Sequence, residues 1–376
     1  MARFVRETFT DREMKKLLYF TSDYKIGISA LLTDQLLSIH KLGIDVIGVG
    51  GDNEQEPGLT NMLRGSGVRL KIINGLDEHT NYARLVERIQ HIVSENAIDV
   101  IHVQNNWQLA ISFAVKCRLM FRQKLEIIYT LHGFRHNSRI KSRIAQAVIG
   151  SALFVATDHV ICMTEYLRKK FRLLSYKINL IPLGVKDDFF VQEYQQPATD
   201  CLRLIFPAQF RKGKNQDIII RAFGRYVKEA TDHHSTLTLP GNGPLLEDAR
   251  ALAKRLGIDK QVIFPGFQSK NDIMRLYLDS NIAIVASNSE TFGQSIVEPF
   301  VLGRCVLSTP VGIAPEIIKD GENGFLFNNE EQLLQIIKRI NQDKTVILTS
   351  SKNNFRNRTM FRWETITKEY ADSLIR

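Results

Sequence analysis

Glu290 and Glu298 flank a stretch in which a strand, a glycine turn and a helix start follow one another directly. IAIVAS (282–287) reads as a buried strand and SETFGQ (289–294) as a turn in which Gly293 supplies backbone freedom. SIVEPFVLG then opens a helix. The unpaired amides and the dipole of such a helix start are suited to a pyrophosphate. Glu290 sits on the loop before the glycine. Glu298 lies about one turn into the helix, where its side chain still points back toward the N-terminus. A carboxylate accepts two hydrogen bonds, and vicinal sugar hydroxyls offer two donors. A second element, FPAQFRKGKNQD (206–217), leaves a strand and enters a helix carrying Arg211, Lys212 and Lys214. Cations at that turn would neutralise the charge of a departing diphosphate.

These residues need a scaffold that collects strand ends, and the sequence has that rhythm. Apolar runs that read as buried strands occur at 16–21, 46–50, 68–73, 99–103, 125–131, 159–163 and 179–183, separated by helical spacing such as 28–40 and 82–94. A second series follows: strands at 202–206, 236–239, 261–264, 282–286 and 305–308, with helices at 216–226, 245–256, 272–278 and 294–302. Alternating strands and helices predict α/β architecture, with parallel sheets covered on both faces. The polar stretch around Pro197 predicts a linker. The expected division is 1–190, a linker at 191–200, 201–358, and a C-terminal helix at 359–376 returning to the first domain. Two doubly wound domains would face a central cleft, with ligands beyond the carboxyl ends of the strands.

The stretch Ser289-Glu290-Thr291-Phe292-Gly293-Gln294-Ser295-Ile296-Val297-Glu298-Pro299-Phe300 resembles the paired-glutamate signature of glycosyltransferase family 4. The flanks fit the same family: Gly303, then TPVGIAPE (309–316) and GENGFL (321–326). The resemblance is specific from about Ile181 to Trp363 and only architectural before Lys124. It implies the GT-B fold of two Rossmann-like domains and transfer of a sugar from a nucleotide donor with retention of anomeric configuration, without a metal. The donor would be UDP- or GDP-linked and would serve as substrate, with no cofactor.

Carried over by residue, Glu290 would meet the donor sugar and Glu298 the ribose. The loop Thr291, Phe292, Gly293 and Gln294 would hold the phosphates. Lys214 matches the family's lysine, while Gln209 stands where its arginine is usual; Arg211 is the candidate replacement. Gly241 and Asn242, in PGNGP (240–244), resemble the turn lining the nucleotide pocket, and Phe267 lies at the expected base-binding strand end. In the first domain, His132 before Gly133 resembles the active-site histidine, and Gly27 the glycine loop near the phosphates. His132, Lys214 and Glu290 are the catalytic candidates. Asn105, Asn106 and Trp107, after a strand end, are candidate contacts for a saccharide or lipid-linked saccharide acceptor. A pathway of cell-surface polysaccharide, lipopolysaccharide or O-antigen synthesis is what the resemblance suggests.

Composition narrows the alternatives. The chain has 376 residues, 44% hydrophobic and 24% charged, enough apolar material for two cores. Cys117, Cys162, Cys201 and Cys305 are scattered, without metal-ligand spacing or a disulfide framework. The charged start carries no secretory signal, and the apolar stretch 144–157 is too short to span a bilayer. A cytoplasmic protein, peripheral on the cytoplasmic face of a membrane, is expected. The net charge of +10 is concentrated in 110–177, where thirteen lysines and arginines face Glu126, Asp158 and Glu165. That basic segment suits an anionic lipid surface, contacted through Arg118, Arg122, Arg135, Arg139, Arg143, Arg168, Lys169 and Lys170; an ordinary solvated face is the other reading. A nucleic-acid-binding module is the reading from another class, but interleaved aromatics for base stacking are few. A GT-B epimerase or phosphorylase is a third alternative. No GxGxxG follows a strand, which disfavours a nicotinamide dehydrogenase.

Overall fold

The computed structural model describes residues 14–20, 28–50, 63–73, 81–132 and 139–375, with only the backbone of 28–31 and 139–145 described within their helices. The chain divides into two units, Met1–Gly184 with Trp363–Arg376, and Val185–Arg362.

The first unit contains β1 (Leu17–Phe20), α1 (Ile28–Lys41), β2 (Val46–Gly50), β3 (Arg69–Ile72), α2 (Tyr82–Glu95), β4 (Val100–Val103) and α3 (Asn106–Leu119). It continues with β5 (Glu126–Leu131), α4 (Arg139–Ala156), β6 (His159–Cys162), α5 (Glu165–Lys170) and β7 (Ile178–Leu180). Among the described residues these strands form one parallel sheet in the order β3-β2-β1-β4-β5-β6-β7. β1 and β4 are buried at every position, as expected of strands covered on both faces. The helices present apolar stripes to them: α2 buries Leu85, Val86, Ile89, Ile92 and Val93.

The second unit contains β8 (Arg203–Ile205), α6 (Gln216–Ala230), β9 (Thr236–Thr238), α7 (Leu246–Arg255), β10 (Val262–Ile263), α8 (Lys270–Asp279) and β11 (Ile282–Val285). α9 (Gln294–Val301), β12 (Cys305–Ser308), α10 (Ala314–Ile317), β13 (Gly324–Leu326), α11 (Glu330–Gln342) and α12 (Thr345–Asn357) complete it. Its strand order is β10-β9-β8-β11-β12-β13, again parallel throughout. In both sheets the order reverses between two adjacent strands, β1 and β4 or β8 and β11. That switch point leaves a crevice at the carboxyl ends.

The unit boundaries differ from the sequence expectation in two places. Residues 191–200 form no free linker. Gln195 O accepts from the buried Arg304, Ala198 O from Asn281 at 2.8 Å, and Tyr194 meets Ser351 Oγ at 3.1 Å. These contacts bind the segment to the second unit, whose boundary falls after Gly184. Polarity misled because its backbone, not its side chains, supplies much of the binding. At the other end, the crossing back falls at Arg362–Trp363, and α13 (Trp363–Leu374) belongs to the first unit. A Cβ on Gly184 would lie 2.3 Å from the Trp363 ring, so only glycine lets the strand exit pass beneath the indole.

Candidate active site

In the second unit three loops at strand carboxyl ends are knitted together. Asn288 N donates to Gly213 O at 2.8 Å, and Asn215 Nδ2 donates to Ala286 O at 2.8 Å and Asn288 Oδ1 at 2.6 Å. Thr309 Oγ1 donates to Ser287 O at 2.7 Å, and Ile313 N to Phe292 O at 2.8 Å. Gly312, at φ +54°, passes so close that a Cβ would meet Phe292 O at 2.1 Å and Glu290 Cβ at 3.1 Å. The loop carrying Glu290 is therefore braced from two sides.

Lys214 Nζ donates to Glu290 Oε1, with both side chains only 13% exposed. Two catalytic candidates far apart in sequence are thus adjacent. Phe292 is buried against the core, and Gly293, at φ +105°, caps α9 without any side-chain bond. Ile296 N and Val297 N both donate to Gly293 O, at 2.9 and 3.2 Å, which closes the first turn on the glycine. Glu298, one turn in, is 4% exposed at its side chain and bound by Lys270 Nζ from α8. Tyr277 OH, buried and without a hydrogen-bond partner among the described residues, has its pKa raised by burial and then by the charge of Glu298.

A second cluster adjoins β8 and β9. Ala208 N donates to Pro240 O at 3.0 Å, Phe210 N to Asn242 O at 2.9 Å, and Gly241 N to Gly266 O at 2.8 Å. Gly241 and Gly243 adopt φ +140° and +149°, and a Cβ on either would strike the carbonyl of Ala208 or Phe210. PGNGP is thus a turn built for close backbone approach. Phe267 is exposed. Gln209 places its carbonyl, not its side chain, in the local bonding, accepting from Gln216 Nε2 at 3.0 Å. Arg211 lines a groove of about 480 Å³ with Arg221, Asp248 and Arg255; neither Glu290 nor Glu298 lines it.

In the first unit, His132 follows β5 and its Nε2 lies 2.7 Å from Gln104 Oε1. Burial pushes its imidazole down to about 4 and that of the wholly buried His102 to about 3, so both are neutral at pH 7. The three acceptor candidates have local partners as well. Asn105 Oδ1 caps α3 by accepting from Gln108 N at 2.9 Å, and Asn106 Oδ1 accepts from Tyr129 OH at 2.8 Å. Trp107 packs on the core and on Tyr82. These side chains hold the start of α3 in place, so their position after a strand end has a structural cause. Gly27 lies outside the described residues. Among the described residues no cluster of His, Cys, Asp and Glu could hold a metal ion.

Lys270 and Asn288 were not singled out from the sequence, and Asn215 and Gly312 stood within the quoted motifs without a role of their own. Lys270 carries no local signal, because only the fold brings α8 to α9. Asn215 directly follows Lys214 in a left-handed conformation, φ +54°, which asparagine tolerates; that was the available clue.

Residues 191–359 match the family model described as glycosyl transferases group 1, and residues 27–189 match glycosyltransferase family 4. The chain belongs to the group 1 glycosyltransferases. This group 1 chain is 27% identical to the N-acetyl-alpha-D-glucosaminyl L-malate synthase of Bacillus anthracis over 252 residues, 64% of each protein. It is 25% identical to the alpha-monoglucosyldiacylglycerol synthase of Streptococcus pneumoniae over 266 residues, 64% of this chain and 58% of the relative. The matches therefore span somewhat under two thirds of these relatives. Anabaena Alr3699/HepE, solved with UDP, superposes with a TM-score of 0.77 at 19% identity, covering 96% of this chain and 99% of that one. The group 1 chain has the GT-B fold.

Proposed function

We propose that this protein transfers a sugar from a UDP- or GDP-linked donor to a saccharide or lipid-linked saccharide acceptor, with retention at the anomeric carbon. The observation that carries the reading is the start of α9, flanked by the Lys214–Glu290 pair and by the buried Glu298. The pyrophosphate sits on the helix amides, Glu290 holds the sugar hydroxyls and Glu298 the ribose. The UDP bound by the HepE neighbour supports a uridine nucleotide. The Lys214 ammonium turns from Glu290 to the departing phosphate as charge develops there. The leaving phosphate takes the acceptor proton, and the helix amides with Lys214 supply the positive charge without a metal. His132, neutral at pH 7, hydrogen-bonds the sugar and is not the nucleophile.

The setting proposed is cell-surface polysaccharide or O-antigen synthesis at the cytoplasmic face of a membrane. No helix among the described residues is long and apolar enough to cross a bilayer. The basic segment also exposes Phe121, Phe154, Val155 and Leu173, which supports peripheral contact with anionic lipid. Arg168 is paired with Glu165, while Arg135 and the side chains of Arg139 and Arg143 lie outside the described residues. Sugar transfer from a panel of UDP- and GDP-sugars, with EDTA present, tests the chemistry. Lys214→Ala is expected to lower kcat about a hundredfold or more; unimpaired transfer by both Lys214→Ala and Glu298→Ala would overturn the proposal.

A further inference from the structure

The carboxyl ends of β4 and β5 run out in polar residues two positions apart: His102 in β4 and Gln104 just beyond it, Thr130 in β5 and His132 just beyond it. In buried strands this alternation is costly unless every group is partnered. α13 reaches this row. Tyr370 OH lies 3.1 Å from His102 Nδ1 with the rings stacked, and Thr367 Oγ1 donates to Ser38 Oγ of α1 at 2.8 Å. His102 Nε2 meets Thr130 Oγ1 at 2.7 Å and Gln104 Nε2 at 3.2 Å. Gln104 Oε1 reaches His132 Nε2, while Gln104 N is fixed by Gln108 Oε1 at 2.8 Å. Tyr19 completes the enclosure, edge-on to His102.

Hydrogen-bond roles run one way through this row. An amide oxygen only accepts, so His132 Nε2 carries the proton. An amide nitrogen only donates, so His102 Nε2 holds a lone pair and its proton is on Nδ1, donated to Tyr370. We infer that Gln104, His102 and Tyr370 are positioning residues that hold His132 as its Nε2–H tautomer, leaving Nδ1 to accept a hydrogen bond from a substrate hydroxyl. Burial keeps both rings neutral and so preserves the arrangement at pH 7. The C-terminal helix thereby reaches the candidate active-site histidine through side chains of its own unit. That a sugar hydroxyl is the donor to Nδ1 rests on the glycosyltransferase reading; the tautomer does not.

The full chain with ¹⁵N-labelled histidine is examined by two-bond ¹H–¹⁵N correlation at pH 7.5, with His102→Asn and His132→Asn assigning the signals. Two opposite tautomers are expected, Nε2–H for His132 and Nδ1–H for His102. Gln104→Leu should collapse the single tautomer of His132. Its kcat should fall about threefold to tenfold, the effect of one lost hydrogen bond, with a smaller change in donor KM. Tyr370→Phe should shift both rings although it touches only His102. A proton on Nδ1 of His132, or rings unmoved in both variants, overturns the inference. If Gln104→Leu does not fold, the wild-type and Tyr370→Phe spectra still decide. Spectra as expected in a protein that transfers no sugar would sink the functional reading and leave the tautomer assignment standing.

Discussion

The Lys270–Glu298 pair joins two side chains of very different exposure, 44% for the lysine and 4% for the glutamate. Removing each partner should therefore have a different consequence. In Lys270→Met the carboxylate stays behind, buried and without its cation. Breaking a buried pair in that way costs about 3–5 kcal/mol, and the half-exposed lysine puts this case near the lower figure. At about 2–4 °C per kcal/mol for a unit the size of Val185–Arg362, the midpoint of thermal unfolding should drop by about 6–12 °C. In Glu298→Gln the lysine turns into water, and the expected loss is under about 1 kcal/mol. Nucleotide binding should rank the variants the other way. If ribose hydroxyls donate to Glu298, replacing the charged acceptor removes about 1.5–3 kcal/mol, a tenfold to hundredfold weaker Kd for UDP by calorimetry. In Lys270→Met the ribose would supply the donor that the carboxylate lacks, so UDP should raise its unfolding midpoint by more than it raises that of the wild type. Equal destabilisation by both variants would refute the burial argument. Unchanged UDP affinity in Glu298→Gln would refute the ribose assignment.

Three further outcomes are expected. Gly312→Ala forces a left-handed backbone and a Cβ 2.1 Å from Phe292 O, so stability should fall by at least about 2 kcal/mol and UDP affinity with it; denaturant unfolding and calorimetry check both. His102 titrates near 3 in the folded state against 6.5 for the free side chain. The unfolded chain therefore binds the proton first, and the stability from keeping the ring neutral is complete above about pH 7 and lost as pH falls. By pH 5 the loss should reach about 2 kcal/mol from His102, with His132 adding in the same direction. Urea unfolding at pH 7 and pH 5 tests it, and equal midpoints would contradict it. Finally, flotation should show binding to anionic but not neutral vesicles, weakened by Phe121→Ser with Leu173→Ser; equal binding to both vesicle types would count against the basic face.

The architecture was legible because its signal is local. Apolar runs such as IAIVAS and helical spacing such as 82–94 report burial residue by residue, and two series of them imply two wound sheets. The glycine turn ahead of α9 was equally legible, since a strand end, Gly293 and the two glutamates are adjacent in the chain. The polar alternation H-V-Q and T-L-H was visible too, and could have marked a buried network had it been weighed. Asn105 carries a second meaning: a polar residue after a strand can cap a helix as readily as it can meet a ligand, and the bond from Gln108 N shows that it does the first.

What the sequence by itself determined is the order of elements and the chemistry available at each strand end, because backbone preference and hydrophobic period are read along the chain. What only the tertiary structure decided is which charges and hydrogen-bond partners meet. Lys214 reaches Glu290 across 76 residues, and Tyr370 reaches His102 across 268. Such pairings carry no periodic signature, because side chains so far apart in the chain meet only once the sheet has set the order of its strands.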